Sequence, residues 1–181
     1  MYIMKKIKII SVFIIFILSF ISHFMYDILP NNIFSIIFPV NESIWEHMKL
    51  ISTPVLLFSI FEYIIYNKKD IEFNNFILSY SISIIIGIIF YLIIYLPIHY
   101  IFGHSFLVAI IILFMTFILV EYISYYIMNY KKIKYGNIIG FIIIILLYII
   151  FGYLTYNPVL IDLFYDTSKD IYGIPSKNTT S

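Results

Sequence analysis

Four stretches of this chain, residues 7–29, 76–97, 105–128 and 138–156, are each about twenty mainly apolar residues long. That is the length a helix needs to cross a hydrocarbon core about 30 Å thick. A fifth stretch, 44–66, is weaker: Glu46, His47, Lys49 and Glu62 leave only the twelve residues 50–61 free of charge, and Pro54 interrupts them. Lysine placement decides how it is read, because cytoplasmic loops carry the excess of basic residues. If all five stretches cross, Lys5, Lys6, Lys8, Lys68, Lys69, Lys131, Lys132 and Lys134, eight of the eleven lysines, fall on one side. If the second stretch lies on the surface, these clusters divide between the two sides. The first apolar run has a basic start but no small-residue cleavage pattern after it, so it is read as an uncleaved helix. The expectation is an all-α integral membrane helical bundle of five transmembrane helices in the cell (cytoplasmic) membrane, N-terminus inside and C-terminus outside. Residues 1–157 form its single transmembrane domain and 158–181 an extracytoplasmic tail.

Composition agrees and removes several functions. Hydrophobic residues make up 62% of the 181 and charged residues 12%, where a soluble domain carries about 25% charged residues. A net charge of +1 offers no basic face for nucleic acid. The chain has no cysteine, so disulfides, thiolate ligands and thiol nucleophiles are excluded. Any metal must be held by histidine and carboxylate.

The five-span topology sorts the polar residues. His23, Glu42, Glu46, His47, His99, His104, Asp162, Asp166 and Asp170 come out together at the extracytoplasmic end. The densest group is "PVNESIWEHMKL", residues 39–50. Within it Ser43 to Glu46 matches the S-x-x-E capping box, in which hydroxyl and carboxylate satisfy the free backbone donors at a helix start. Trp45 suits the interfacial belt. Capping leaves His47 unexplained. On a helix, Ser43 and His47 stack at i, i+4, as do Glu42 and Glu46, making two adjacent polar ridges.

Other helices carry polar stripes. Ser19, Ser22, His23 and Tyr26 share one face at the outer end of the first span. Ser79, Ser83 and Gly87 recur every four residues, a small-residue seam that lets a helix approach closely and a candidate contact for a second copy or a membrane partner. Gly140, Tyr148, Gly152 and Tyr156 share a face of the last span. Glu62 and Glu121 are intramembrane acids. A charge at mid-bilayer costs about 2.5–3.5 kcal/mol on insertion scales, so each must pair, protonate or face water.

Imidazoles and a carboxylate that leave one coordination position open are the donor set of a catalytic zinc site, and its bound water is a nucleophile near neutral pH. The candidate metal ligands are His23, His47, Glu46 and Asp166, and the candidate catalytic groups Glu42, Glu46 and His47. Two readings stand. In one, a polar pocket binds a divalent metal or a small polar or lipid head group, its chemistry that of a metal-dependent membrane hydrolase. In the other, the same residues cap helices and pin loops in a non-enzymatic membrane subunit.

Three blocks, "SHFMYDILPNN", "FPVNESIWEHMKL" and "LFYDTSKDIYGI", resemble an uncharacterised family of small bacterial multi-pass membrane proteins, domain of unknown function 6512. The resemblance covers nearly the whole chain. It is sharpest at Asn41, Glu42, Ser43, Trp45, Glu46 and His47, then around His23 and over 166–173. It implies an integral membrane protein and brings no activity with it. His99 and His104 fall outside its pattern, which leaves His23, Glu42, Glu46, His47 and Asp166 as the better candidates.

Overall fold

The computed structural model describes residues 2–103 and 105–175. In chain order the helices are α1 (Tyr2–Ile28), α2 (Asn32–Ile37), α3 (Ile44–His47), α4 (Lys49–Lys68), α5 (Phe76–Phe102), α6 (Phe106–Asn129) and α7 (Gly136–Tyr156). Five helical stretches are long and apolar enough to cross a membrane: α1, the α3–α4 unit taken as Ile44–Lys68, α5, α6 and α7. All five expected spans are therefore present.

The charged second span is accounted for by its position. Of its apolar window 61% is buried inside the protein, against no more than 44% for any other span. It is the most buried of the five spans, and its Glu46, Lys49 and Glu62 meet protein rather than lipid. The unit tightens at Met48, whose amide donates to Trp45 O at 3.0 Å while Ile51 N returns to Met48 O at 3.1 Å. α5 continues through Pro97 to Phe102 instead of stopping there, and Gly103 ends it with φ +80, a backbone state glycine reaches without steric cost. α2 was not expected. Asn31 caps it by accepting from the amides of Ile33 and Phe34, both at 3.0 Å, which is the ordinary chemistry of an N-cap asparagine.

The small-residue seams work within the chain. Ser79, Ser83 and Gly87 are buried, and a Cβ on Gly87 would stand 2.6 Å from Val120 and 3.2 Å from Thr116 of α6. The seam expected to serve a second copy or a partner helix is occupied at Gly87 by α6 of the same chain. Likewise Gly152 faces Ile36 of α2, and Gly140 lets α7 approach the backbone of α5. A Cβ on Gly140 would lie 2.5 Å from Leu78 N and 2.7 Å from Ile77 C. Backbone cannot swing aside as a side chain does. Gly140→Ala is therefore expected to force the two helices apart and to lower the unfolding free energy by about 1–3 kcal/mol, read by SDS titration in mixed micelles.

The outward faces of the bundle are apolar. α7 exposes Ile138, Phe141, Ile142, Ile145, Leu146 and Ile149 among others, a surface that suits lipid contact. After α7 the chain does not trail off as a simple tail. A 3-10 turn at Asp162–Phe164 leads into a two-stranded antiparallel ribbon, β1 (Tyr165–Asp166) and β2 (Ile171–Tyr172). Phe164 is buried and its ring lies 4.9 Å from that of Trp45, so the 3-10 turn packs over the start of α3.

Candidate metal centre

Three side chains from separate elements meet at the end of the bundle opposite the lysine clusters. His23 lies in the last turns of α1, Glu42 in the turn before α3, and His47 at the end of α3. His23 Nε2 is 3.3 Å from Glu42 Oε2, and His47 Nε2 is 3.5 Å from the same oxygen. One ligand atom from each of the three residues can be chosen so that all lie within 4.8 Å of one another. A tetrahedral zinc with bonds of about 2.0–2.1 Å sets its ligands about 3.3 Å apart, so the two measured separations match that spacing.

Local structure sets the orientation of each group. His47 Nδ1 is 2.8 Å from Ser43 O. A carbonyl only accepts, so Nδ1 carries a hydrogen, and in the neutral ring Nε2 then holds a lone pair directed at Glu42. This is the outer hydrogen bond that metal-ligating histidines usually make. His23 Nδ1 is buried without a hydrogen-bond partner. When protonated, the His23 ring first and then the His47 ring hold the Glu42 carboxyl well below the usual carboxylate range. These three groups border a cavity of about 120 Å³ that Tyr91, Tyr95 and Leu113 also line.

The turn carrying Glu42 is braced from the C-terminal side. Asp166, fully buried, accepts the Glu42 amide at 3.0 Å, the Ser168 amide at 2.8 Å and hydroxyl at 2.6 Å, and the Lys169 amide at 3.2 Å. Burial opposes ionisation of Asp166, but these donors outweigh it and hold its carboxyl below the ordinary value. Asn41 donates to Gly173 O at 2.7 Å, and its own carbonyl accepts the Ser43 amide at 2.9 Å. A carboxyl with a depressed folded-state value contributes stability above the unfolded value, and that contribution is lost as pH falls through the folded one. The protection factors of the Glu42 and Lys169 amides, measured against the intrinsic exchange rate at each pH, are thus expected to fall as pH drops below the usual aspartate range, and to be low already at neutral pH in Asp166→Asn. Unchanged protection in that variant would count against the brace.

Two expected ligands are thereby withdrawn. Asp166 spends both oxygens on the ribbon and on Glu42's backbone. Glu46 turns away from the histidines: its carboxylate accepts the Val40 amide at 3.1 Å, the Thr155 hydroxyl at 2.7 Å and the Lys49 ammonium at 2.5 Å. The capping box is consequently half formed. The Ser43 hydroxyl accepts the Glu46 amide at 3.3 Å, but the Glu46 carboxylate goes to Val40 instead of returning to Ser43. Glu46 is thus apart from the two histidines, whereas Glu42, expected only as a catalytic group, stands between them.

The remaining expected residues divide as follows. The His99 ring is 5.7 Å from that of Tyr95, one helical turn earlier on α5, and outside the three-residue group. His104 lies outside the described residues. Asp162 and Asp170 are exposed, the latter accepting from the Tyr165 hydroxyl. Glu62 and Glu121 do come together, near the lysine-rich end, and share one partner that sequence reasoning missed: Lys8 Nζ lies 2.8 Å from a carboxylate oxygen of each. Counting Lys8 with the basic loop residues hid it. Its place one turn before the buried Ser11 and two turns before the buried Ile15 was the signal that it faces inward.

The family model for the family of unknown function DUF6512 matches residues 1–174, nearly the whole chain. The chain belongs to DUF6512. No curated protein and no solved structure matches it. DUF6512 membership brings no activity with it and leaves the chemistry to be argued from this member's own His23, Glu42 and His47.

Proposed function

We propose that this DUF6512 member is a membrane-embedded binder of a divalent metal, held by His23, Glu42 and His47. The observation that carries the reading is at Glu42. With His47 Nδ1–H committed to Ser43 O, a lone pair and a carboxylate oxygen face each other at 3.5 Å, an arrangement that requires a positive charge between them. A metal supplies it to both imidazoles at once; separate protons are the alternative. Three protein ligands leave the fourth tetrahedral position toward the cavity, and a water bound there would be an activated nucleophile. Hydrolysis is the chemistry such a centre supplies when metal is bound. The lysine-rich end is read as cytoplasmic, which sets the centre at the outer face of the cytoplasmic membrane.

Detergent-purified protein, prepared without chelators, is expected to contain about one equivalent of zinc, manganese or iron. His23→Ala and His47→Ala are each expected to lose it. Zinc titration of the stripped protein should show affinity falling by more than the about 10–100-fold that outer hydrogen-bond partners carry, and falling at acid pH as protons compete. His47→Gln, which keeps a donor toward Ser43, should lose metal while remaining folded. Protein that neither carries metal nor binds zinc on titration would leave the three residues as a hydrogen-bonded ion pair and return the chain to the alternative of a non-enzymatic subunit.

A further inference from the structure

Resting on the metal reading above, we propose that the cavity beside His23, Glu42 and His47 takes a phospholipid from the bilayer, its phosphate on the metal and an acyl chain between α1 and α6. Four observations meet here. The first is where the cavity lies. Phe13 and Phe16 of α1 pack on Phe114 of α6 with ring centroids 5.8 and 5.1 Å apart, joining the two helices. One to two turns nearer the histidines, Phe20 and Phe24 of α1 and Phe106, Ala109 and Ile110 of α6 line the cavity instead.

Second, the same rings are exposed at the bundle surface: Phe20 by 39%, Phe24 by 55% and Phe106 by 68%. These residues belong to spanning helices, so the cavity wall is continuous with the lipid-facing surface. The third is depth. His23 precedes the exposed Asp27 by four residues, about 6 Å along the helix at 1.5 Å per residue. A charge at the helix end belongs with the head groups, so the ligands sit just below them, where phosphate gives way to chain. Fourth, the charges fit. Two neutral imidazoles and one carboxylate around a divalent ion leave one positive charge, which a phosphodiester monoanion balances.

The test uses the full chain in detergent, loaded with zinc, with dioctanoyl phosphatidylglycerol and inorganic phosphate as probes and native mass spectrometry to count bound molecules. Ala109→Trp fills the slot between the helices, and Ile110→Trp narrows its mouth. The expected result is one lipid per wild-type chain, affinity lower by about tenfold or more in Ala109→Trp, and weaker binding of inorganic phosphate than of lipid in all three proteins. Zinc stoichiometry should be the same in all three, which shows that the centre is intact. Lipid binding indifferent to both substitutions, with zinc bound, would overturn the proposal and leave the metal reading standing. Inorganic phosphate binding as tightly as the lipid would overturn it in favour of a site filled from water. Absence of zinc from the wild type would instead sink the metal reading on which it rests.

Discussion

Lys49→Met is expected to destabilise the protein by about 3–5 kcal/mol, the usual cost of removing one partner from a buried ion pair. The Lys49 side chain is fully buried. Its ammonium donates to Ser35 O at 2.7 Å, Thr155 Oγ1 at 2.7 Å, Glu46 Oε2 at 2.5 Å and Phe38 O at 3.4 Å. It therefore joins α2, the turn after it, α3 and α7 at one point, and satisfies two carbonyls at the end of a six-residue helix that has little stability of its own. Methionine fills the same space but leaves the Glu46 carboxylate charged, with only a hydroxyl and an amide as donors. The cost then comes mainly from the uncompensated charge. On that account Lys49→Met/Glu46→Gln should recover a substantial part of the loss, because the amide oxygen can still accept from Val40 N while its NH2 group donates to Thr155 Oγ1, with no charge left buried. SDS titration of the two variants beside wild type measures both. A single variant within about 1 kcal/mol of wild type, the range of an exposed pair, would show that water reaches this lysine.

How much of this arrangement was legible in the sequence depends on the range of each interaction. The spans were legible because an apolar run of fixed length is a local property, and the gathering of eight of the eleven lysines on one side favoured a spanning second stretch. His23 and His47 could be placed at one end of the bundle by counting crossings. Which carboxylate joins them could not. Glu42 and Glu46 are one helical turn apart, and the choice between them rests on Lys49 and Thr155, the latter 109 residues from Glu46 along the chain. Asp166 looked like a ligand because an acid in a polar tail has no visible partner in the sequence. The Asx turn that occupies it with Ser168 and Lys169 was readable in "DTSK", since aspartate commonly bonds the amides two and three residues on. The Asn31 cap of α2 was equally local and was overlooked beside the longer helices. The seam at Ser79, Ser83 and Gly87 was correctly read as a close-approach surface, but small residues alone do not say whether the approaching helix comes from the same chain.

The buried charges at the other end bear on why the bundle holds together, and Lys8→Met is the second substitution expected to cost about 3–5 kcal/mol. Lys8 Nζ reaches Glu62 and Glu121 at 2.8 Å each and the Tyr80 hydroxyl at 2.9 Å, uniting α1, α4, α5 and α6. Transmembrane helices gain little from apolar burial against one another, since lipid tails are as apolar as leucine, so a polar knot of this kind specifies which faces meet. The two acids are not equivalent. Glu62 also accepts from Ser11, Tyr66 and Tyr80, whereas Glu121 has one oxygen near Lys8 and Ser124 and the other buried without a partner. One lysine faces two carboxyls, so removing the lysine strands both, removing Glu62 strands three hydroxyls, and removing Glu121 leaves a one-to-one pair. The destabilisation should therefore run Lys8→Met largest, Glu62→Gln intermediate and Glu121→Gln smallest, with Lys8→Met/Glu121→Gln more stable than Lys8→Met alone. Zinc affinity should be unchanged in Glu121→Gln, because the knot and the proposed ligands His23, Glu42 and His47 lie at opposite ends of the bundle. An order in which Glu121→Gln costs as much as Lys8→Met would mean that the three charges act as one indivisible unit, and the hydroxyl count around Glu62 would no longer explain the asymmetry.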